Sequence, residues 1–273
     1  MRVVMTLLVR DEADVVDCNL AYHLGRGVDA IIVTDHRSQD GTRERLAAWA
    51  NADPRVLVLH EDREACDQST YVTRMARVAQ PGDWVLNNDA DEFLWPEAGD
   101  LRAALLQVPR SCSRLELARL NFVARPDDRR PFFERMTTRQ AEAVDELGRP
   151  LRRKLAHRAG PRVVVGRGSH AVRGAPWPPR TCRRPLVTVL HFPARTLAQY
   201  RHKVEIGGAT PGYEHKRIAA AHAALLHGEL DARYEAEAGA RDGLIEDTRL
   251  RDYLASGRCE KWEALLSTHG RHD

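Results

Sequence analysis

Short apolar runs alternate with stretches of helical periodicity along the first third of the chain. The runs are rich in β-branched residues, which is typical of strands that are buried on both faces. They are Val3–Val9, Ala30–Val33, Val56–Leu59 and Trp84–Leu86. Between the first two runs, Val16, Leu20 and Leu24 recur at intervals of four residues, which is the spacing of one helix face. The pattern therefore predicts alternating strands and helices.

Strands that alternate with helices at these intervals need crossover connections, so the pattern predicts an α/β fold with a mostly parallel sheet flanked by helices. In such a sheet, ligands bind beyond the carboxyl ends of the strands. A polar loop follows each of the four apolar runs. These loops are Arg10–Glu12, Asp35–Asp40, His60–Asp67 and Asp89–Glu92. We therefore expect the four loops to meet along one rim of the sheet. Asp67 or Ser69 is placed to cap the next helix.

The alternation of strands and helices fades after Pro96. Later strands are predicted at Leu115–Val123, Val163–Val165 and Leu186–Leu190. From Thr196 onward the pattern is helical. The sequence therefore predicts one main domain over residues 1–195 and a helical extension over residues 196–273 that packs on it.

The charge of the chain is unevenly distributed, although the net charge over 273 residues is only +3. Residues 1–100 carry 10 basic and 19 acidic side chains, whereas residues 101–200 carry 21 basic and 7 acidic ones. Almost all the basic residues are arginines, whose planar guanidinium suits phosphate. The few aromatic residues are not interleaved with the arginines, so we expect no nucleic-acid partner. Two interpretations stay open: a solvated basic surface, or a small anionic substrate held by both segments.

The cysteines and the apolar runs indicate the environment of the protein. The five cysteines are widely spread and form no Cys-x-x-Cys pair, which argues against a disulfide framework and for a reducing cytoplasm. The N-terminal run Val3–Val9 is too short to cross a bilayer and has no cleavage site of a secretion signal. We expect no transmembrane segment. A peripheral position at the inner membrane face stays open if the substrate is lipid-linked.

An acidic stretch follows the fourth apolar run and contains Asp89, Asp91 and Glu92. Residues i and i+2 of an extended chain point the same way, so Asp89 and Asp91 are predicted to share one cleft while Glu92 faces elsewhere. Carboxylates packed this closely repel one another unless a cation or protons compensate. Oxygen ligands suit Mg²⁺ or Mn²⁺. The alternative is a solvated acidic turn.

Two motifs together resemble a known family. One is Ile31–Thr42, with a strand, Asp35 and an Asp-Gly-Thr helix start; the other is Tyr71–Ala76 followed by Trp84–Phe93, which contains an Asp-any-Asp motif. They resemble the nucleotide-diphospho-sugar glycosyltransferases of the GT-A fold, most closely the family 2-like group. His36 departs from the pattern, since many members have a second aspartate there.

The resemblance implies site residues and partners. Arg10, Asp11, Asp35 and Asp89 would bind a nucleoside diphosphate sugar, and Asp89, Asp91 and His191 would hold Mn²⁺ or Mg²⁺. Asp91 and His170 would be catalytic, with His170 either binding the acceptor or acting as the base. Plainer alternatives are a surface ion pair for Arg10 and Asp11, and a hydrogen-bonded strand-end histidine for His191. The acceptor would be a glycan, a lipid-linked molecule or a small molecule.

The resemblance also implies a reaction, a metal-dependent transfer of the sugar to a hydroxyl group with inversion. The sequence leaves several candidates for the base that activates this hydroxyl. They are Glu116, Asp127, Asp128, Glu134 and His170. Two other functions stay open: a non-catalytic nucleotide-sugar-binding protein, and a sugar nucleotidyltransferase, which the absence of a Gly-rich phosphate loop after the first strand disfavours.

Overall fold

The computed structural model describes residues 1–142, 144, 150–176, 178–211, 216–239 and 242–257. The strands are β1 (Val3–Val9), β2 (Ala30–Asp35), β3 (Val56–His60), β4 (Trp84–Asp89), β5 (Glu92–Pro96), β6 (Arg114–Asn121), β7 (Thr138–Gln140), β8 (Lys154–Arg158), β9 (Val164–Val165), β10 (Val172–Arg173), β11 (Thr181–Cys182), β12 (Val187–His191) and β13 (Leu244–Glu246). The α-helices are α1 (Val16–Gly25), α2 (Thr42–Ala52), α3 (Gln68–Ala76), α4 (Leu101–Leu106), α5 (Phe132–Arg135), α6 (Leu197–Ala209), α7 (Lys216–Leu226), α8 (Leu230–Gly239) and α9 (Arg249–Ala255).

The main sheet has the strand order β3-β2-β1-β4-β8-β6-β12-β5, with β11 paired to β6. The first four strands in this order are parallel to one another. Strand β8 runs antiparallel to both β4 and β6, and β5 runs antiparallel to β12. The predicted fold class, a mostly parallel α/β sheet flanked by helices, is therefore confirmed.

Strand β1 shows why the N-terminal run is continuously apolar. Val3, Met5 and Leu7 are buried on one face of the sheet, in the larger hydrophobic core. Val4 is buried in a second core together with Met75 of helix α3. Because both faces of a central parallel strand are covered, every position favours an apolar side chain.

Helix α3 begins as the sequence predicts. The side chain of Asp67 accepts a hydrogen bond of 3.1 Å from the backbone N–H of Thr70. This bond satisfies one of the free N–H groups at the start of the helix, so Asp67 is the N-cap.

Three strands of the main sheet have no counterpart in the sequence prediction: β5, β8 and the two-residue β11. Strand β8 lies inside an Arg-rich stretch, yet it separates β4 from β6 and buries Lys154 completely. Strand β5 continues the acidic stretch after a two-residue turn and pairs with β12. A buried lysine in a strand looks like a surface residue in a hydropathy pattern, because only its tertiary partners reveal its position.

The C-terminal elements return to the main body of the protein. Helices α6, α7 and α8 share a small core of their own, with Val204, Ile218, Ala221 and Leu230. Strand β13 pairs with β7, and helix α9 adds Leu250, Tyr253 and Leu254 to the larger core. Residues 258–273 of the predicted helical extension lie outside the described residues. None of the helices described is long and apolar enough to span a bilayer.

Candidate active site

The carboxyl ends of the first four strands meet at one edge of the sheet. The pairing places Leu8 of β1 beside Asp89 of β4, Val9 beside Asp35 of β2, and Asp35 beside His60 of β3. Asp35 and Asp89 therefore flank the end of β1 on either side, and Arg10 and Asp11 follow β1 directly. The sequence predicts this convergence, and the register of the strands produces it.

Two lysines neutralise the acidic stretch. The Nζ atom of Lys154 lies 2.6 Å from Oδ2 of Asp89, and the Nζ atom of Lys203 lies 2.6 Å from Oδ2 of Asp91. Lys154 also forms an ion pair with Glu92. The prediction that Glu92 faces away from the two aspartates is therefore wrong. Because the chain turns at Ala90 and Asp91, the extended-chain alternation does not hold there, and Glu92 shares its lysine with Asp89.

The pKa values of these carboxyl groups reflect their different partners. Complete burial raises the pKa of Glu92 to about 7, although Lys154 acts in the opposite direction. Burial also acts to raise the pKa of Asp91, but the charges of Lys203 and His191 outweigh it and hold the pKa well below its usual range. Lys154 likewise lowers the pKa of Asp89 against the effect of burial. The two aspartates are therefore ionised at neutral pH.

Arg195 joins the C-terminal half of the chain to the loop after β1. Its guanidinium is fully buried and lies 2.5 Å from Oε2 of Glu12 and 2.6 Å from Oδ2 of Asp14. Lys203 also approaches Glu12, at 3.4 Å. A buried carboxylate needs such partners, because burying an unpaired charge costs several kcal/mol.

Helix α6 crosses the edge where the first four strands end. In addition to Lys203, its His202 places Nε2 3.2 Å from Asp11. Just beyond its end, Thr210 accepts a hydrogen bond of 3.0 Å from Arg10. The sequence prediction treats this region as an extension and gives it no site residue. A helical pattern that contains His202 and Lys203 does not reveal that they reach residues more than 100 positions earlier.

A cleft of about 320 Å³ opens between α6 and the loops after β1 and β2. Its lining includes both charged side chains and the end of α6. The lining residues are Arg10, Arg37, Glu64, Glu205, Ile206, Ala209, Thr210 and Pro211. The buried Nε of Arg10 has no hydrogen-bond partner among the described residues. Arg10 thus has donor capacity left for a ligand in the cleft.

Asp35 and Asp11, the other two nucleotide-binding candidates, are held by neighbouring groups. Asp35 is fully buried and receives a hydrogen bond of 2.8 Å from Nε of Arg43. Asp11 receives one of 2.6 Å from the backbone N–H of Gln39. Both carboxylates are thereby fixed at the strand ends, on the side of the sheet edge where the cleft opens.

His191 lies beside Asp91, as expected from its position at the end of β12. Its Nε2 is 3.6 Å from Oδ2 of Asp91, and its Nδ1 is 2.8 Å from Oδ1 of Asn121. Because the amide oxygen of Asn121 can only accept, Nδ1 carries the proton and Nε2 presents a lone pair towards Asp91. Burial lowers the pKa of His191 to about 4, so the imidazole is neutral at pH 7.

A divalent cation suits these donors. A histidine that donates one ring N–H to an oxygen and presents the other nitrogen is the usual arrangement of a metal-bound imidazole. Among the described residues, however, no group of three or more His, Cys, Asp or Glu side chains is already arranged as a metal site. Lys203 contacts Oδ2 of Asp91, the same carboxylate oxygen that His191 approaches.

His170 directly follows a short 3₁₀ turn at Arg167–Ser169. Its Nδ1 is 2.9 Å from the carbonyl oxygen of Arg153. Burial, together with the charges of Lys154, Arg119 and Arg152, lowers the pKa of His170 to about 4.

The acidic candidates for the base are engaged or remote from the cluster. Glu116 lies 3.8 Å from Arg153 and 3.5 Å from Arg183. Asp127 and Asp128 are on an exposed loop near Arg135, and Glu134 is an exposed residue of helix α5. His170 is therefore the candidate of this group that lies beside Lys154 and Arg119.

Similarity to known proteins is found among solved structures. No protein-family model and no curated protein matches the chain. A mannosyltransferase, PcManGT from Pyrobaculum calidifontis, in complex with GDP-Man and Mn²⁺, is 19% identical over 97% of this chain and 83% of that chain, with a TM-score of 0.45. TarS from S. aureus, in complex with UDP, is 11% identical over 86% of this chain and 72% of that chain, also with a TM-score of 0.45.

A third similar structure covers less of the chain. Glucosyl-3-phosphoglycerate synthase from Mycobacterium tuberculosis, in complex with Mg²⁺ and UDP, is 17% identical over 44% of this chain and 43% of that chain, with a TM-score of 0.32. Because the sequence identities and TM-scores are this low, the roles of individual residues follow only from the geometry of this chain. Its mixed sheet, in which parallel strands lead to an acidic β4 end, is a GT-A-like fold.

Proposed function

We propose that the protein is a metal-dependent glycosyltransferase that transfers a sugar from a nucleoside diphosphate sugar to a hydroxyl acceptor, with inversion. The observation that carries the proposal is the grouping of Asp89, Asp91 and His191 beside the strand ends that hold Asp11 and Asp35. The similar solved structures are complexes with GDP-Man, UDP, Mn²⁺ or Mg²⁺, in agreement with this proposal.

The donor nucleotide occupies the cleft beside β1 and β2. Arg10 offers an unused buried N–H group there, and the carboxylates of Asp11 and Asp35 are good acceptors for ribose hydroxyls or a base edge. From this cleft the diphosphate extends towards Asp89 and Asp91, which lie one strand away at the end of β4.

Negative charge grows on the diphosphate as the sugar leaves. A divalent cation held by Asp89, Asp91 and His191 would supply Lewis-acid stabilisation of that charge. Lys203 contributes a second positive charge from α6, and it is positioned to turn from Asp91 to a phosphate oxygen. Fixed positive charges in a partly buried site stabilise such a developing anion effectively.

His170 contacts the acceptor hydroxyl in this proposal. Its Nδ1 donates to the carbonyl oxygen of Arg153, so Nε2 is the nitrogen that is free to accept a hydrogen bond. With its low pKa the imidazole stays neutral at pH 7 and can orient the hydroxyl through its lone pair. Glu92, by contrast, is completely buried against Lys154, so it serves charge balance within the cluster.

Replacement of Asp91 tests the proposal. Release of nucleoside diphosphate from a panel of UDP-sugars and GDP-sugars is measured with Mn²⁺ and with EDTA. We expect turnover only with the metal, and we expect Asp91→Asn to lower it by about a hundredfold or more, because both a metal ligand and a local charge are lost.

Asp62→Asn is the matched control, since Asp62 is an exposed aspartate whose ion pair with Arg43 is 3.4 Å long. It should leave turnover unchanged. Both variants should keep the circular dichroism spectrum of the parent protein. Full activity of Asp91→Asn, or equal activity in EDTA, would contradict the metal assignment.

A non-catalytic nucleotide-sugar-binding function is favoured by one observation. Lys154 and Lys203 already neutralise Asp89 and Asp91, so the acidic cluster is stable without a metal ion. The same assay separates the two functions. A binding protein would show thermal stabilisation by a nucleotide sugar but no release of nucleoside diphosphate under any metal condition.

A further inference from the structure

Arg119 is a largely buried cation with little compensation. Its side chain lies on β6 and is 16% exposed, and its contact with Oε1 of Glu92 is 3.7 Å long. Its buried Nε has no hydrogen-bond partner among the described residues. A buried N–H group that lacks a hydrogen-bond partner has lost its hydration without replacement, which costs free energy. Arg119 is therefore able to bind an anionic ligand from solution.

The space beside Arg119 is shared with His170. Gly168 leaves room for the imidazole ring, since a Cβ atom at this position would lie 2.7 Å from Cδ2 and Nε2 of His170. The charges of Lys154, Arg119 and Arg152 all act on the imidazole. These groups come from β6, from β8 and the segment before it, and from the residue after the 3₁₀ turn.

The surroundings of His170 carry an excess of positive charge. Lys154 is already paired with Asp89 and Glu92, and Glu116 is matched by Arg153 and Arg183. Between residues 147 and 204 the sequence contains no acidic residue. Arg119 and the exposed Arg152 thus remain without a carboxylate within hydrogen-bonding distance among the described residues.

We propose that Arg119, with Arg152, binds an anionic group of the acceptor, a phosphate or a carboxylate, near His170. A planar guanidinium forms paired hydrogen bonds with either group. The proposal rests on the proposed function, because it assigns this place to the acceptor. The donor cleft lies beside β1 and β2, whereas Arg119 lies beyond β4 and β8 in the sheet order. The diphosphate of the donor reaches Asp89 and Asp91 before it could reach Arg119.

Binding of two matched pairs of probes to the full chain tests the proposal in metal-free buffer without nucleotide. The soluble pair is glycerol 3-phosphate and glycerol, measured by calorimetry. The lipid pair is phosphatidylglycerol and phosphatidylcholine vesicles, measured by co-sedimentation. We expect at least tenfold tighter binding of the member with a net negative charge, glycerol 3-phosphate or phosphatidylglycerol, in at least one pair. The pair that responds tells whether the anion belongs to a soluble molecule or to a lipid headgroup.

Arg119→Gln should abolish this preference, and Arg119→Lys should restore part of it. Arg184→Gln is the control, because it removes an arginine that bonds to the carbonyl oxygen of Gln107 beside α4. It should keep the preference. The melting temperature with UDP or GDP and Mn²⁺ is recorded for the parent protein and for each variant. This measurement reports nucleotide binding independently of probe binding.

Three results would overturn the proposal. One is the absence of any preference for the anionic member in both probe pairs. Another is an Arg119→Gln variant that binds the probes like the parent protein. The third is loss of nucleotide binding in folded Arg119→Gln, which would place Arg119 in the donor site.

Discussion

Lys154 is among the largest side chains that the fold buries completely, and it is charged. It bonds to Asp89 at 2.6 Å and also contacts Glu92. A buried ammonium group is tolerated only when carboxylates pair with it, and each carboxylate in turn depends on the ammonium. The three residues therefore act as one unit, in which a change to any member changes the protonation of the others.

Lys154→Met should cause a loss of stability that depends on pH. Without the lysine, the pKa of Glu92 rises further above its value of about 7, so the carboxyl group is neutral at pH 5. At pH 8 the variant must bury an unpaired charge or bind a proton from dilute solution. We expect a loss of about 3–5 kcal/mol at pH 8 and a smaller loss at pH 5, measured by urea denaturation. Equal losses at both pH values would contradict the shared role.

Helix α6 is the element that completes the site. It contributes Lys203 to Asp91, His202 to Asp11 and, just beyond its end, Thr210 to Arg10. All three contacts are polar, and they join the helix to the ends of two strands, β1 and β4. Because these contacts at the cleft are polar, a ligand that supplies competing charges can shift this face of α6, so its position is sensitive to donor and metal.

Lys203 and a divalent cation compete for Asp91. Lys203→Met should therefore bind Mn²⁺ about tenfold more tightly in the nucleotide-free protein, because a repelling charge is removed from the site. The affinity is measured by the Mn²⁺ electron paramagnetic resonance signal. Lys203→Arg, which keeps the charge, serves as the control and should bind Mn²⁺ like the parent protein. Weaker Mn²⁺ binding by Lys203→Met would show that the lysine supports the metal instead.

Buried histidines set the pH dependence of the whole molecule. Burial lowers the pKa of His23 to about 3 and those of His157 and His191 to about 4. Unfolding returns each of them to a pKa of about 6.5. Between about pH 4 and pH 6.5 the unfolded chain thus binds up to three more protons than the folded chain through these residues. Their contribution to stability is present above pH 6.5 and is lost as the pH falls.

Glu92 acts in the opposite direction, because its pKa is raised to about 7 in the folded protein. Between about pH 4.5 and pH 7, Glu92 gives the folded chain up to one more bound proton than the unfolded chain. Its contribution to the free energy of unfolding therefore falls as the pH rises. The three histidines together bind more protons on unfolding than Glu92 releases. We expect the midpoint of urea denaturation in EDTA to decrease from pH 7 to pH 4.5, and His23→Gln should reduce this slope by about one proton. A midpoint that rises as the pH falls would contradict this expectation.

The sequence could predict the features that depend on neighbouring residues, but not the contacts between residues far apart in the chain. Strands β1 to β4 and the Asp67 cap depend on neighbouring residues, so apolar runs and capping residues indicate them. The alignment of Asp35 with Asp89 follows from a parallel sheet and could also be predicted. Lys203 and Arg195 could not, since they reach Asp91 and Glu12 across 112 and 183 residues. No local pattern contains such pairs.

The separation between Asp91 and Lys203 has a consequence for the order of events during translation. At about 5–20 residues per second, the 112 residues between them take roughly 6–22 s to synthesise. During that interval the first four strands are available to fold, while Asp91 still lacks its lysine and Glu12 its arginine. The contacts that α6 makes with the ends of β1 and β4 therefore form only after the first four strands have been synthesised.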